Sequence, residues 1–161
     1  MTSPRRVPQG ERILSLWRRC AGLPFGRALF SVLLGRSVPY TGSVRATVIE
    51  LEPGHARVVL RDRRGVRNHL GSIHAVALTN LGEMTSGLAM LTALPASVRG
   101  IVLRIETVYT KKARGTLLCD CHVAVPAVTG DVNHELHAEI RDAGGDIVAS
   151  VRVVWRLGLV P

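Results

Sequence analysis

The sequence predicts an α+β fold in which a curved antiparallel sheet wraps around one long central helix, preceded by a helical extension. Two observations predict it. Apolar residues alternate with period two on both sides of a central segment, residues 68–98, which carries a single formal charge, Glu83. That segment is apolar nearly all round, so a helix formed there must be covered by other elements. With 161 residues and 47% hydrophobic composition, the chain is large enough for one core.

The first elements are two short helices. Apolar residues recur at helical spacing from Gly10 to Ala21, and a second helix is predicted from Phe25 to Leu34. We therefore divide the chain into a basic helical extension, residues 1–36, and a main domain, residues 37–161. The charge of the extension is also compatible with peripheral membrane contact through residues 10–34, and its candidate anchors are Trp17, Phe25 and Phe30.

Period-two alternation then predicts two strands, the central helix and four more strands. In the third strand the alternation places Ile101, Leu103 and Ile105 on one face together with Thr107 and Tyr109. The predicted order is a strand from Tyr40 to a turn at 52–54, a strand at 56–61, a helix from His74 to Leu94, and strands at 101–109, 117–123, 132–140 and 147–157.

The segment that leads into the central helix carries a motif. Asn68 precedes His74 by six positions, and Glu83 follows it by nine. This segment, with Asn-His-Leu-Gly-Ser-Ile-His-Ala at its start, resembles the signature of hotdog-fold thioesterases of the phenylacetyl-CoA type, and an uncharacterised branch of that superfamily most closely. The resemblance implies a hotdog fold, hydrolysis of an acyl-CoA thioester at a dimer interface, and a homodimer or a dimer of dimers.

The resemblance also implies a role for each motif residue. Glu83 is expected to act as general base on a water, Asn68 to orient the water or the thioester oxygen, and His74 to fix the loop. The backbone N–H of Ala75 is expected to polarise the thioester carbonyl. The alternative for Glu83 is a mid-helix acid paired with an arginine from another strand.

The motif departs from the superfamily at two places. His74-Ala75-Val76 stands where His-Gly-Gly is usual, and Glu83 stands where Asp is usual. The lost glycines motivate a second hypothesis, a non-catalytic protein of the same fold that binds acyl-CoA or a fatty acyl group.

Basic residues flank the motif on both sides. The net charge of +9 is spread over the chain, and aromatic residues make up only 4% of it, so nucleic-acid binding is not expected. The candidates for binding the phosphates of CoA are Arg67, Lys111, Lys112 and Arg114, and their alternative is an exposed loop or hairpin tip.

No metal or cofactor is expected. In Cys119-Asp120-Cys121-His122, the two cysteines share one face of a strand and the histidine points to the other, so they do not converge as zinc ligands require. No dinucleotide fingerprint or phosphate-binding loop is present. Free cysteines and the lack of an apolar signal segment at the N-terminus favour a cytoplasmic location.

Overall fold

The computed structural model describes residues 8–160, in which three helices precede the sheet and a fourth helix follows its second strand. A 3-10 turn at Arg64–Val66 leads into that fourth helix. The helices are α1 (Gln9–Ala21), α2 (Gly26–Ser37), α3 (Pro39–Ser43) and α4 (Ala75–Ala93), and the strands are β1 (Thr47–Glu52), β2 (His55–Leu60), β3 (Val98–Tyr109), β4 (Leu117–His122), β5 (Val132–Arg141) and β6 (Ile147–Leu159).

The six strands form one antiparallel sheet in the order β1-β2-β4-β5-β6-β3. Its two edges are β1 and β3. The alternation predicted for β4 and β5 is confirmed over most of their length: every second residue is buried from Leu117 in β4 and from Leu136 in β5, whereas Val132 at the start of β5 is exposed. The predicted architecture, a curved sheet around a central helix in the order β-β-α-β-β-β-β, is confirmed.

The central helix α4 packs directly on the sheet. Gly82 faces β6, and a Cβ there would overlap the Val151 side chain, so the glycine permits the close approach. Helix α1 crosses the opposite side of α4, where Gly10 lies against the backbone of Leu91. Covered from both sides, α4 is apolar all round for the reason predicted. None of the helices between residues 8 and 160 has the length and hydropathy needed to cross a bilayer.

The aromatic residues of the N-terminal helices correct one expectation. Trp17 and Phe30 are buried and pack edge to face, with ring centroids 5.1 Å apart, so the prediction that they anchor the chain to a membrane is wrong. They fill the space between α1 and α2 because the two helices share the core of the sheet. Phe25 alone of the three is exposed, by 90%, in a left-handed conformation with φ of +59°.

The first strand starts later than predicted. Residues 39–43 form the short helix α3 rather than a strand, with Pro39 in its first turn, where the fixed φ of proline suits a helix. Tyr40 is 68% exposed. The alternating burial begins at Val44, and the hydrogen-bonded strand begins at Thr47.

The prediction of a single apolar face for β3 is wrong because the strand contains a bulge. The register with β6 shifts between Val102 and Arg104, so the residues before and after the bulge face opposite ways. Ile101 pairs with the exposed Arg156, whereas Ile105 pairs with the buried Val153. As an edge strand, β3 also leaves apolar side chains exposed, among them Ile101, Leu103, Ile105, Val108 and Tyr109.

Candidate active site

Asn68 organises the loop that precedes α4. Its Oδ1 accepts hydrogen bonds from the Leu70 N–H at 2.9 Å, the Ser72 N–H at 3.2 Å and the Ser72 hydroxyl at 3.2 Å. The Asn68 N–H donates to the Ser72 carbonyl at 2.8 Å, and Gly71 takes the left-handed φ of +68° that the turn requires. The side-chain oxygen of Asn68 is thus used for hydrogen bonds within the loop, whereas its Nδ2 has no protein acceptor within residues 8–160.

His74 caps α4. Its Nδ1 accepts a hydrogen bond from the Val76 N–H at 3.1 Å, so the neutral ring carries its proton on Nε2. The main chain is tied down on both sides: the His74 N–H donates to the Val66 carbonyl, and the His74 carbonyl accepts from the Ala77 N–H. His74 therefore fixes both the loop and the first turn of the helix.

The N–H of Ala75 is the available donor in this turn. The Val76 N–H is bound to His74, whereas the Ala75 N–H has no acceptor among the described residues, and Ala75 is exposed. It lies at the positive end of the α4 dipole. An oxygen that gains negative charge during a reaction would be stabilised there.

Glu83 lies two turns further along α4. It is half-buried, and no cation pairs with its carboxylate within residues 8–160, so the alternative of a structural ion pair with an arginine finds no support. Burial raises the pKa of the Glu83 carboxyl above its usual value. A raised pKa brings a carboxylate closer to the working range of a general base.

The carboxylate lies on the side of α4 nearest the β3 edge. Four residues before it, Thr79 Oγ1 lies 2.9 Å from Thr107 Oγ1 and 2.9 Å from the Tyr109 hydroxyl, both on β3. Four residues after it, Gly87 has no side chain to fill the space beside Glu83; a Cβ there would lie 3.9 Å from both Glu83 Oε1 and the Trp155 ring.

The basic residues predicted to bind phosphate divide into two groups. The first is already paired. Lys111 Nζ lies 2.7 Å from Asp142 and 2.6 Å from Asp146, and these two carboxylates raise the pKa of Lys111. The Arg67 Nε lies 2.6 Å from Asp62 Oδ1, which lowers the pKa of Asp62.

The second group, Lys112 and Arg114, is exposed and forms no ion pair within the described range. Their loop docks against the segment that leads into α4, because the Ile73 N–H donates to the Ala113 carbonyl at 2.8 Å and the Gly115 N–H to Asp62 at 3.0 Å. The structure thus gathers Arg67, Lys112 and Arg114 near the start of α4, while Lys111 is held in the neighbouring hairpin.

Asn80 is a residue of this region that the sequence does not identify as part of the site. It resembles a cap or turn residue in the sequence, but it lies in the second turn of α4 and is 7% exposed. It borders a pocket of about 260 Å³ that also reaches His74 and Arg67. Tyr40 and Ser43 of α3, the element that the alternation pattern did not predict, line the same pocket.

The cysteines and the histidine of β4 lie on opposite faces of the strand, as the alternation predicts. Cys119 and Cys121 are buried, and burial raises the pKa of both thiols to about 12. On the other face, His55, Asp120 and His122 lie close together. The two imidazole rings are stacked with centroids 3.8 Å apart at 5°, and the Nε2 atoms of His55 and His122 lie 3.0 Å and 3.5 Å from Asp120 Oδ1.

Residues 26–157 match the family model described as a domain of unknown function, DUF4442. The chain belongs to the DUF4442 family. The match covers the sheet, α4 and the whole candidate site, and it places the protein in the hotdog thioesterase-like superfamily. No protein of curated function matches this DUF4442 chain.

Solved structures share the fold of this DUF4442 protein at low sequence identity. The Pseudomonas aeruginosa protein PA5026, described as a probable thioesterase, has a TM-score of 0.74 at 23% identity, over 86% of this chain and 97% of its own. A mutant of the Staphylococcus aureus thioesterase SAV0944 has a TM-score of 0.65 at 13% identity (74% and 98%). A mutant of the phenylacetic acid degradation protein PaaI of Thermus thermophilus has 0.62 at 19% (73% and 97%).

Proposed function

We propose that this DUF4442 protein hydrolyses acyl-CoA thioesters, with Glu83 as the general base. The observation that carries the proposal is a half-buried carboxylate on α4 with no cation to pair with it between residues 8 and 160. Such a group opposes folding, and functional sites are where such groups concentrate. The proteins of the same fold named above include two described as thioesterases.

The proposed reaction needs one proton transfer in each direction. The Glu83 carboxylate takes a proton from a water, and the water oxygen bonds to the thioester carbonyl carbon. The carbonyl oxygen becomes an oxyanion that accepts a hydrogen bond from the Ala75 N–H. The carbon–sulfur bond then breaks, and the departing CoA thiolate takes the proton from Glu83. The products are a carboxylic acid and free CoA.

The spacing along α4 implies that two protomers build each site. Ala75 and Glu83 are separated by eight residues, which is a rise of about 12 Å along a helix. A base and an oxyanion donor must both lie within hydrogen-bond reach of the same reacting group. Glu83 of one protomer therefore acts together with Ala75 of the partner subunit.

The free edge of the sheet supports a homodimer. Within residues 8–160, strand β3 pairs only with β6, and it presents exposed apolar residues, of which Ile101 is 64% and Val108 57% exposed. Unprotected edges of this kind readily pair with another strand. Pairing of two β3 strands about a two-fold axis would place the Glu83 side of one α4 beside the other α4. A dimer of dimers is the higher assembly consistent with the resemblance.

The remaining site residues would hold the substrate. The free Nδ2 of Asn68 is available to orient the water or the thioester oxygen. Lys112 and Arg114, which have no carboxylate partner among the described residues, are the best candidates for the CoA phosphates, and Arg67 supports them. No cofactor is needed for this reaction.

Release of free CoA from a panel of acyl-CoA esters tests the proposal. We expect Glu83→Gln to lower kcat by about 10² to 10⁴, the usual contribution of a general base. The matched control is Glu139→Gln, which removes an exposed carboxylate paired with Arg141 and should leave kcat unchanged. Unchanged turnover in Glu83→Gln would exclude Glu83 as the base.

A non-catalytic acyl-CoA-binding protein is the alternative. It is favoured by the side chains that replace the usual glycines: Ala75 is exposed and Val76 is 51% exposed, so both crowd the approach to the free N–H. Binding of acyl-CoA by the wild type without any release of CoA would select this alternative.

Contact with an anionic membrane is a further proposal for residues 10–34. The corner between α1 and α2 exposes Phe25 by 90% and Leu23 by 54%, next to the exposed Arg27. Apolar side chains beside basic ones suit the interface of an anionic bilayer.

This proposal predicts opposite effects of one substitution on stability and on binding. Phe25→Gly should maintain or raise the Tm, because glycine accepts the φ of +59° without strain. It should weaken sedimentation with vesicles that contain an anionic lipid, whereas Phe25→Leu should retain most of the binding. Equal sedimentation of the wild type and Phe25→Gly would rule the corner out as the contact.

A cytoplasmic location completes the proposal. Cys20, Cys119 and Cys121 are all free and buried, as expected for a protein of a reducing compartment.

A further inference from the structure

Asn80 is a buried side chain that has no hydrogen-bonding partner among the residues that the structure describes. It is 7% exposed, its Oδ1 is fully buried, and neither end of its amide bonds to any residue between 8 and 160. Buried polar groups without partners are rare in folded proteins and call for an explanation.

Neighbouring polar residues of α4 show that the deficit is particular to Asn80. The Thr85 hydroxyl donates to the Leu81 carbonyl at 2.7 Å, and the Ser86 hydroxyl donates to the Glu83 carbonyl at 3.0 Å. The Thr92 hydroxyl donates to the Leu88 carbonyl at 2.8 Å. Each of these side chains is satisfied by its own helix, as is usual for hydroxyl groups in helices. An asparagine in the same helix with no partner among the described residues points to a partner that is not part of the protein.

The pocket that Asn80 borders leads to the candidate oxyanion donor. It has a volume of about 260 Å³ and lies between α3, the 3-10 turn and the first turns of α4. One end is His74, which caps the helix beside the free Ala75 N–H. Asn80 lies five residues beyond Ala75, a rise of about 7.5 Å. Its other walls include Tyr40, Ser43, Val66 and Arg67.

We propose that Asn80 binds the pantetheine arm of the thioester, through the amide nearest to the sulfur atom; this inference rests on the proposed function. A secondary amide offers both an N–H and a carbonyl, so it satisfies a carboxamide in either orientation. In pantetheine this amide nitrogen is three bonds from the sulfur, so a thioester carbonyl held at Ala75 carries it into the pocket of the same protomer. Asn80 is thus a substrate-binding residue that reads the thiol half of the substrate rather than the acyl half.

Two model thioesters with the same acyl group isolate this contact. The N-acetylcysteamine thioester keeps the amide, and the pentanethiol thioester replaces it with methylene groups. Wild type should prefer the former in kcat/KM, and Asn80→Leu should reduce that preference by about tenfold, the effect expected for one hydrogen bond to a buried group. Because leucine removes a buried, unpaired amide, the Tm of Asn80→Leu should equal or exceed that of wild type.

The matched control is Thr85→Val on the same helix. It removes a hydroxyl that is bonded within α4, so it should leave the preference between the two thioesters unchanged. An Asn80→Leu variant that keeps the wild-type preference would overturn the inference and leave the proposed function intact. Loss of the proposed dimer in Asn80→Leu would also overturn the inference, because Asn80 would then stabilise the dimer rather than bind the substrate.

The inference and the proposed function fail separately. If the wild type hydrolyses neither model thioester, calorimetry with a non-hydrolysable S-alkyl thioether of CoA decides the inference; the proposed function fails only if acyl-CoA esters are not hydrolysed either. Weaker binding of that thioether to Asn80→Leu than to Thr85→Val supports the contact. Equal binding to both variants overturns it.

Discussion

At the scale of the residue, Glu83 links stability to pH. Burial raises the pKa of its carboxyl, so the folded chain holds the proton more tightly than the unfolded chain. Between the usual pKa of 4.5 and the raised value, the folded state binds more protons than the unfolded state. The free energy of unfolding therefore falls as the pH rises through that window, and above it the charged carboxylate destabilises the fold.

Glu83→Gln should remove this dependence. We expect the variant to be more stable than wild type at neutral pH, and the difference in the free energy of unfolding to shrink as the pH falls below the window. Urea denaturation at a series of pH values measures it. A difference that stays constant across the series would contradict the raised pKa of Glu83.

The roles of single residues were only partly predictable. The intervals between Asn68, His74 and Glu83 identify the loop and the helix start because the spacing is carried by the sequence itself. The three donors to Asn68 Oδ1 also lie within the local loop. The isolation of Asn80 could not be predicted, because the pocket that it borders is lined by residues of α3 and the 3-10 turn, which lie far from it in the chain.

At the scale of the element, the first turn of α4 allows one backbone N–H, that of Ala75, to be removed by a single substitution. Proline is well tolerated at the first position of a helix, where its missing N–H is not needed by the helix. His74, the residue before it, has φ of −64° and ψ of 139°, which is the extended conformation that proline demands of its predecessor. Ala75→Pro therefore removes the free N–H with little disturbance of the fold.

We expect Ala75→Pro to lower kcat by about 10² to 10³, the loss typical of one oxyanion donor, with a Tm close to that of wild type. Ala75→Gly is the matched control because it keeps the N–H and removes only the Cβ, so it should retain activity. Equal turnover of the proline and glycine variants would show that this N–H has no part in the reaction.

Two elements show why strand patterns mislead at the margins of a sheet. Period-two alternation extends back to Tyr40, but Pro39 starts a helical turn there, and the alternation is used for pairing only from Thr47. In β3 a single extra residue near Leu103 shifts the register, so the side chains before it face the opposite way from the predicted pattern. A bulge inserts no special residue type here, so the sequence predicts the strand but not its break in register.

At the scale of the whole molecule, the net charge of +9 is less informative than its distribution. Residues 68–98, which carry one formal charge, form the loop and the central helix, and that single acid, Glu83, is the proposed base. The exposed apolar edge of β3 lies on the same flank as that acid. Catalysis and dimerisation would therefore depend on the same side of the protomer.

Complementation between two inactive variants tests the shared site most directly. In a dimer of Glu83→Gln with Ala75→Pro, one of the two sites combines an intact Glu83 with an intact Ala75 from the other subunit. Co-expression with statistical pairing should therefore restore about a quarter of the wild-type release of CoA, because half of the dimers are mixed and each has one intact site. A mixture no more active than the two variants alone would contradict a site built by Glu83 and the partner subunit's Ala75.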